Sequence, residues 1–132
     1  MQRRFALVGL QLDREQKNWK EDLQSIVILQ EQFCLNSATA AEELNFRICG
    51  IGDGDEVIVP SYTYTASASA AIHCGAKVIF VDSQKDSTEM DYDKVAEVIT
   101  EKTKAVVAVD LGGIICDYDK LYAAVESKKH CL

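Results

Sequence analysis

From residue 32 onward the chain alternates short apolar runs with segments of helical spacing, and this alternation restricts its fold more than any other feature. The apolar runs are 32–36 (QFCLN), 56–59 (EVIV), 77–81 (KVIFV) and 104–109 (KAVVAV). The helical segments are 37–49, 65–74, 91–99 and 117–128. Strands that alternate with helices predict a mostly parallel sheet with right-handed crossovers and helices on both faces, an α/β fold. The run at 104–109 shows no polar alternation, which predicts a strand covered on both faces.

Local signals mark the boundaries. The stretch 50–55 (GIGDGD) reads as a helix stop and turn, Pro60 closes the second strand, Gly75 ends the second helix, and Asp91 is placed to cap the third. Spacing predicts inward faces of Ala41, Leu44 and Ile48 in the first helix, Val95 and Val98 in the third, and Leu121, Ala124 and Val125 in the fourth. The small residues of 65–74 (TASASAAIHC) predict a helix packed closely on a neighbour. Residues 1–31 differ. They are polar and irregular, with Trp19 among scattered Gln and Glu and a weak helical pattern around 18–29, and we read them as a divergent N-terminal segment, helical in part.

At 132 residues, 48% hydrophobic and 27% charged, the chain has the balance of one soluble domain with a sizeable core. A net charge of −7 argues against sequence-independent nucleic-acid binding, which needs cationic surface. It leaves room for an anionic ligand held by backbone amides. The cysteines Cys34, Cys49, Cys74, Cys116 and Cys131 form no CxxC pair, and His73 and His130 stand at no metal-ligand spacing, so buried reduced thiols and no metal are expected. The start, Met1 to Leu10, is too brief and interrupted for a secretory signal or membrane helix, so the expected location is cytoplasmic, away from membranes.

In open parallel sheets ligands sit beyond the carboxyl ends of the strands, which directs attention to three segments. The first is 36–41 (NSATAA), where small residues and free amides at a helix start can receive a phosphate, with Thr39 adding a hydroxyl; a plain helix cap at Ser37 or Thr39 is the alternative. The second is 60–67 (PSYTYTAS), where Tyr62 or Tyr64 can stack on a flat ring or serve as a core or surface aromatic. The third is 110–113 (DLGG), where Asp110 can touch a ligand, cap a helix or bond backbone, the structural roles being favoured.

Together these segments resemble the DegT/DnrJ/StrS family of sugar-nucleotide aminotransferases. The matching text is CLNSATAAEEL, GIGDGDEVIVPSYTYTASASAAIHCGAKVIFVD, VAEVITEKTKAVVAVDLGG, CDYDKL and VESKKH, in the family's order from Cys34 to His130. The resemblance implies that residues 32–132 form part of the large domain of the aspartate-aminotransferase fold, the type I fold for pyridoxal phosphate. It implies that Ala38 and Thr39 hold the cofactor phosphate and that Tyr64 stacks on its pyridine ring. The implied reaction moves an amino group from an amino acid, usually glutamate, to a nucleotide-linked keto sugar, in polysaccharide or amino-sugar synthesis. The implied assembly is a homodimer.

The family also uses a lysine that bonds the cofactor and an aspartate that pairs with the pyridine nitrogen. In family members both lie beyond the position of His130, so Lys128, Lys129 and Asp110 do not match them. The 132 residues alone are therefore expected to be catalytically incomplete and prone to self-association. They are expected to be either part of a working enzyme completed by further polypeptide or a non-catalytic binding or structural remnant of the same fold. An unrelated nucleotide-binding domain is disfavoured, since neither GxGxxG nor GxxxxGK[ST] occurs.

Overall fold

The computed structural model describes residues 8–9 and 34–129. The elements run β1 (Val8–Gly9), β2 (Cys34–Leu35), α1 (Ala38–Ile48), β3 (Glu56–Pro60), α2 (Ala66–His73), β4 (Lys77–Val81), α3 (Tyr92–Val98), β5 (Thr103–Val106), a 3-10 turn at Leu111–Gly113, and α4 (Tyr118–Lys129). β4, β3 and β5 form a parallel sheet in that order, with Ile58 opposite both Ile79 and Val106. β1 and β2 form a separate parallel pair.

The central strand explains the layering. Val57, Ile58 and Val59 are fully buried, at 0% exposure. Successive strand residues point to opposite faces. Val57 and Val59 pack with Phe46 of α1 and Ala70 and Ala71 of α2, while Ile58 packs with Tyr92 and Val95 of α3 and Leu121 of α4. One apolar strand thus holds a helix pair on each face, and each such side chain contributes about 1.5–3 kcal/mol by leaving water. The small residues of α2 matter here: Ser67, Ala70 and Ala71 are buried, which lets that helix lie close on the sheet.

Most expected elements appear within a residue or two of their predicted ends. The differences have physical causes. Strand 104–109 is shorter, and Ala105 to Val109 are half-buried instead of covered on both faces, because β5 is an outer strand of the described sheet. The inner face of α1 centres on Ala41 and Phe46 and leaves Ile48 51% exposed, since Phe46 and not Ile48 reaches the Val57–Val59 cluster. The strand expected at 32–36 is observed at Cys34–Leu35, with Asn36 outside it. Leu121 is buried, but Ala124 and Val125 are only half-buried. Cys116 is buried as expected, Cys74 is half-buried and Cys49 is exposed, a correction for the last: it follows the final turn of α1, beyond the packed face. The helical pattern at 18–29, the side chain of Cys34, and His130 and Cys131 lie outside the described residues. Among the described residues no helix is long and apolar enough to cross a membrane.

Candidate functional site

α1 begins with an open amino end. Ser37 has extended backbone angles, φ −157° and ψ 155°, and its hydroxyl accepts the Ala40 N–H at 3.1 Å. The Ser37 carbonyl accepts the Ala41 N–H at 3.2 Å. Ala38 and Thr39 are the first two helical residues, so their amides have no acceptor within the helix. They sit at the positive end of the helix dipole. Ser37 is the cap, as one of the two readings of this segment expects, and capping leaves the Ala38 and Thr39 amides and the Thr39 hydroxyl at the same terminus.

The loop after β3 is organised differently. The Ser61 N–H donates to Val81 O at 2.8 Å, which continues the β3–β4 ladder past Pro60. The hydroxyls of Thr63 and Ser67 meet at 3.3 Å, and Ser67 N–H donates to Tyr64 O at 3.2 Å. Ala68 and Ser69 N–H both donate to Thr65 O, at 3.2 and 2.9 Å. The Ser67, Ala68 and Ser69 amides at the start of α2 thus find acceptors in the preceding turn, and the Ser67 bond fixes the backbone of Tyr64. Tyr64 is 77% exposed and Tyr62 59%, so neither ring belongs to the core. Both are presented beyond the carboxyl end of β3, where a planar ligand can lie against them.

The two helices are tied at their C-terminal ends. Arg47 pairs with Glu43 at 2.7 Å and donates to His73 O at 3.3 Å, His73 Nδ1 lies 3.3 Å from Glu43, and the Cys74 thiol lies 3.6 Å from Glu43 O. Arg47, and after it His73, hold the Glu43 carboxyl below its usual range. α1 and α2 thus run side by side in one direction, with their starts at the same end of the fold. This brings the Ala38–Thr39 amides and the Tyr64 loop to one side, with no hydrogen bond between them among the described residues.

Asp110 takes the structural role. Its carboxylate accepts the Cys116 N–H at 2.9 Å and the Tyr118 hydroxyl at 3.2 and 3.3 Å. The Cys116 amide chiefly, and Tyr118 after it, keep this carboxyl below its usual range. Between these anchors the chain turns through Gly112 and Gly113 at φ +65° and +83°, a region that side chains disfavour. Sequence reasoning missed a second clamp nearby. The Tyr92 hydroxyl donates to Glu89 at 2.8 Å and accepts the Asp117 N–H at 2.7 Å, tying α3 to the start of α4. Burial, aided by Glu89, pushes the Tyr92 hydroxyl up to about 12. Only the amphipathic position of Tyr92 hinted at this; its partners are 3 and 25 positions away and form no motif.

The sequence matches the model of the DegT/DnrJ/EryC1/StrS aminotransferase family over residues 11–131. The chain belongs to that family. Among its relatives, the GDP-perosamine synthase of Caulobacter vibrioides is 45% identical over 86 residues, 65% of this chain and 23% of that protein. The spore coat polysaccharide biosynthesis protein SpsC of Bacillus subtilis is 34% identical over 111 residues, 84% of this chain and 28% of that protein. Among solved structures, Spr1654 of Streptococcus pneumoniae, described as a sugar aminotransferase, superposes in its PLP form with a TM-score of 0.82 at 48% identity, covering 91% of this chain and 31% of that one. The chain therefore spans less than a third of the length of these family members, and its fold is part of their type I fold. Among the described residues no group of three or more His, Cys, Asp or Glu could hold a metal ion.

Proposed function

We propose that this chain contributes the phosphate cradle and the ring-stacking aromatic of a pyridoxal-phosphate-dependent sugar aminotransferase. The observation that carries this reading is the open start of α1, where the Ala38 and Thr39 amides have no acceptor among the described residues after Ser37 has capped Ala40. Two amides, one hydroxyl and a positive helix end suit a phosphate dianion. Tyr64, fixed through its carbonyl and exposed on its face, suits the pyridine ring. The residues present thus fit the cofactor at its phosphate and at one ring face.

When bound, the cofactor supplies an electron sink that eases proton loss from an amine-bearing carbon. The chain's own residues bind and orient. Ala38 and Thr39 anchor one end, Tyr64 restricts rotation of the ring plane, and the Asp110–Cys116–Tyr118 and Tyr92–Asp117 contacts hold the loops beyond β5 in place. A lysine and an aspartate for the remaining roles have no match within these 132 residues. Lys77, Lys102 and Lys104 lie at the amino ends of β4 and β5, Lys85 lies in the loop that follows β4, and Lys94 and Lys120 pair with Glu97 and Asp117. The donor is an amino acid, with glutamate favoured, and the acceptor a nucleotide-linked keto sugar, a class in keeping with the GDP-linked sugar for which the Caulobacter relative is named. The assembled enzyme is a homodimer that works in the cytoplasm.

The test is a titration of the isotope-labelled chain with pyridoxal phosphate, followed by amide chemical shifts and borohydride trapping. We expect shifts at Ala38 and Thr39, weakening on Thr39→Ala and Tyr64→Ala, and neither a trapped lysine nor amino transfer from glutamate. Cofactor binding that leaves Ala38 and Thr39 unmoved would defeat the assignment, and trapping on one lysine would defeat the expected incompleteness.

A further inference from the structure

Core packing does not set the direction of the Tyr64 ring, which is 77% exposed. Its placement is left to the chain on either side. β3 ends at the buried Pro60, and α2 begins at Ala66. At the near end of this connection the Ser61 N–H is held by Val81 O, and at the far end the Ser67, Ala68 and Ser69 amides are held by the turn before them. Between these ends the amides of Tyr62, Thr63 and Tyr64 have no acceptor among the described residues. Backbone hydrogen bonds therefore leave the residue before Tyr64 unrestrained.

One side-chain contact crosses that gap. The hydroxyls of Thr63 and Ser67 meet at 3.3 Å. Ser67 is 9% exposed, and this contact is the partner of its hydroxyl among the described residues. A buried hydroxyl is costly unless it is paired, so Ser67 draws Thr63 toward it. Ser67 is itself a firm anchor, because Ala70 and Ala71, one turn along α2, are fully buried against the sheet. Thr63 is half-buried, whereas Tyr62 and Tyr64 on either side of it are exposed. The pair is not a helix cap: neither hydroxyl bonds a backbone amide, and Thr65, the cap residue of α2, makes no side-chain cap bond.

We infer that Thr63 and Ser67 are positioning residues of the cofactor site, whose hydroxyl pair holds Tyr64 ready for a planar ring. Both act through Tyr64. This inference rests on the functional reading above and separates two ligands that share a phosphate. Inorganic phosphate meets the Ala38 and Thr39 amides alone, so it is indifferent to the pair. Pyridoxal phosphate also meets Tyr64, so its affinity includes whatever it costs to order that side chain on binding.

The experiment uses the 132-residue chain, isotope-labelled at its backbone amides and tyrosine rings. Each variant is titrated with inorganic phosphate and, separately, with pyridoxal phosphate. In the unaltered chain both ligands should shift Ala38 and Thr39, and only pyridoxal phosphate should shift the Tyr64 ring signals. Thr63→Val keeps the shape of the side chain and removes its hydroxyl. It should weaken pyridoxal phosphate binding about three- to tenfold and shrink the Tyr64 ring shift, with phosphate affinity unchanged. The unchanged phosphate response also shows that the variant is folded. Thr63→Ser keeps the hydroxyl and should restore both readings. Ser67→Ala should match Thr63→Val, and the double variant should be no weaker than either, since both changes remove one interaction. Three results would overturn the inference: undiminished pyridoxal phosphate affinity in Thr63→Val, an equal loss for both ligands, or additive losses in the double variant. Shifts at Ala38 and Thr39 without a Thr63 effect sink only the positioning role. Silence at Ala38 and Thr39 in the unaltered chain sinks the functional reading and this inference with it.

Discussion

Replacing Tyr92 with Phe removes one oxygen from the point where α3 meets α4. The ring stays in its cluster with Met90, Val95 and Leu121, so the apolar contribution is unchanged. Two hydrogen bonds go. The one donated to the Glu89 carboxylate at 2.8 Å is charge-assisted, and the one accepted from the Asp117 amide at 2.7 Å leaves a half-buried donor unpaired. Tyr92 is 7% exposed, so water cannot readily replace the hydroxyl. Taken together these losses amount to about 2–3 kcal/mol. With an unfolding entropy of roughly 0.2 kcal/mol/K for about a hundred residues, the midpoint of thermal unfolding should fall by about 10 °C. Urea unfolding followed by circular dichroism at neutral pH measures the change directly, provided the slope is the same in both proteins. The folded-state pKa is pushed up to about 12, above the usual value near 10. The hydroxyl's contribution is therefore complete below about pH 10 and lost as pH rises toward 12, so the two proteins should converge over that interval. A loss under about 0.5 kcal/mol at neutral pH would show that the clamp does not couple α3 to α4, and the reasoning from its geometry would fail.

Two further outcomes follow from single contacts. The Asp110 carboxyl is held below its usual range by the Cys116 amide and Tyr118, so its contribution is present above about pH 4 and fades as pH falls through the folded value; Asp110→Asn should destabilise the chain at pH 7 and flatten this acid limb, and urea midpoints at pH 7 and pH 3 that move in parallel in both proteins would contradict it. Gly75 and Gly54 share a left-handed backbone, φ +92° and +91°, but a methyl at Gly75 meets the Asp53 carboxylate and lies 3.3 Å from Asp53 N, whereas a methyl at Gly54 meets nothing within 4 Å. Alanine at Gly54 should cost about 1–2 kcal/mol of backbone strain and alanine at Gly75 about 1 kcal/mol more, and equal losses in urea unfolding would show that Asp53 yields freely.

The elements and their order were legible in the sequence because they rest on short-range chemistry. Apolar runs such as EVIV and KVIFV, the Ser37 and Asp91 caps, and glycines at positive φ after the helices act within a few residues and survive whatever the tertiary context is. The phosphate candidate was legible for the same reason, since a cap and its free amides are a property of one helix start. What the tertiary structure alone decided is which side chains meet across distance. The rotation of α1 that buries Phe46 and exposes Ile48 depends on where α1 lies relative to the Val57–Val59 face. The half-burial of the KAVVAV run depends on β5 being an outer strand, which composition cannot reveal because burial on the second side must come from another segment. The role of Asp110 depended on Cys116 and Tyr118 folding back over a glycine turn, and the Tyr92 clamp on Asp117, 25 positions away, arriving within hydrogen-bond reach. Local propensity determines the pieces; the free energy of packing apolar faces on both sides of β3 determines their arrangement.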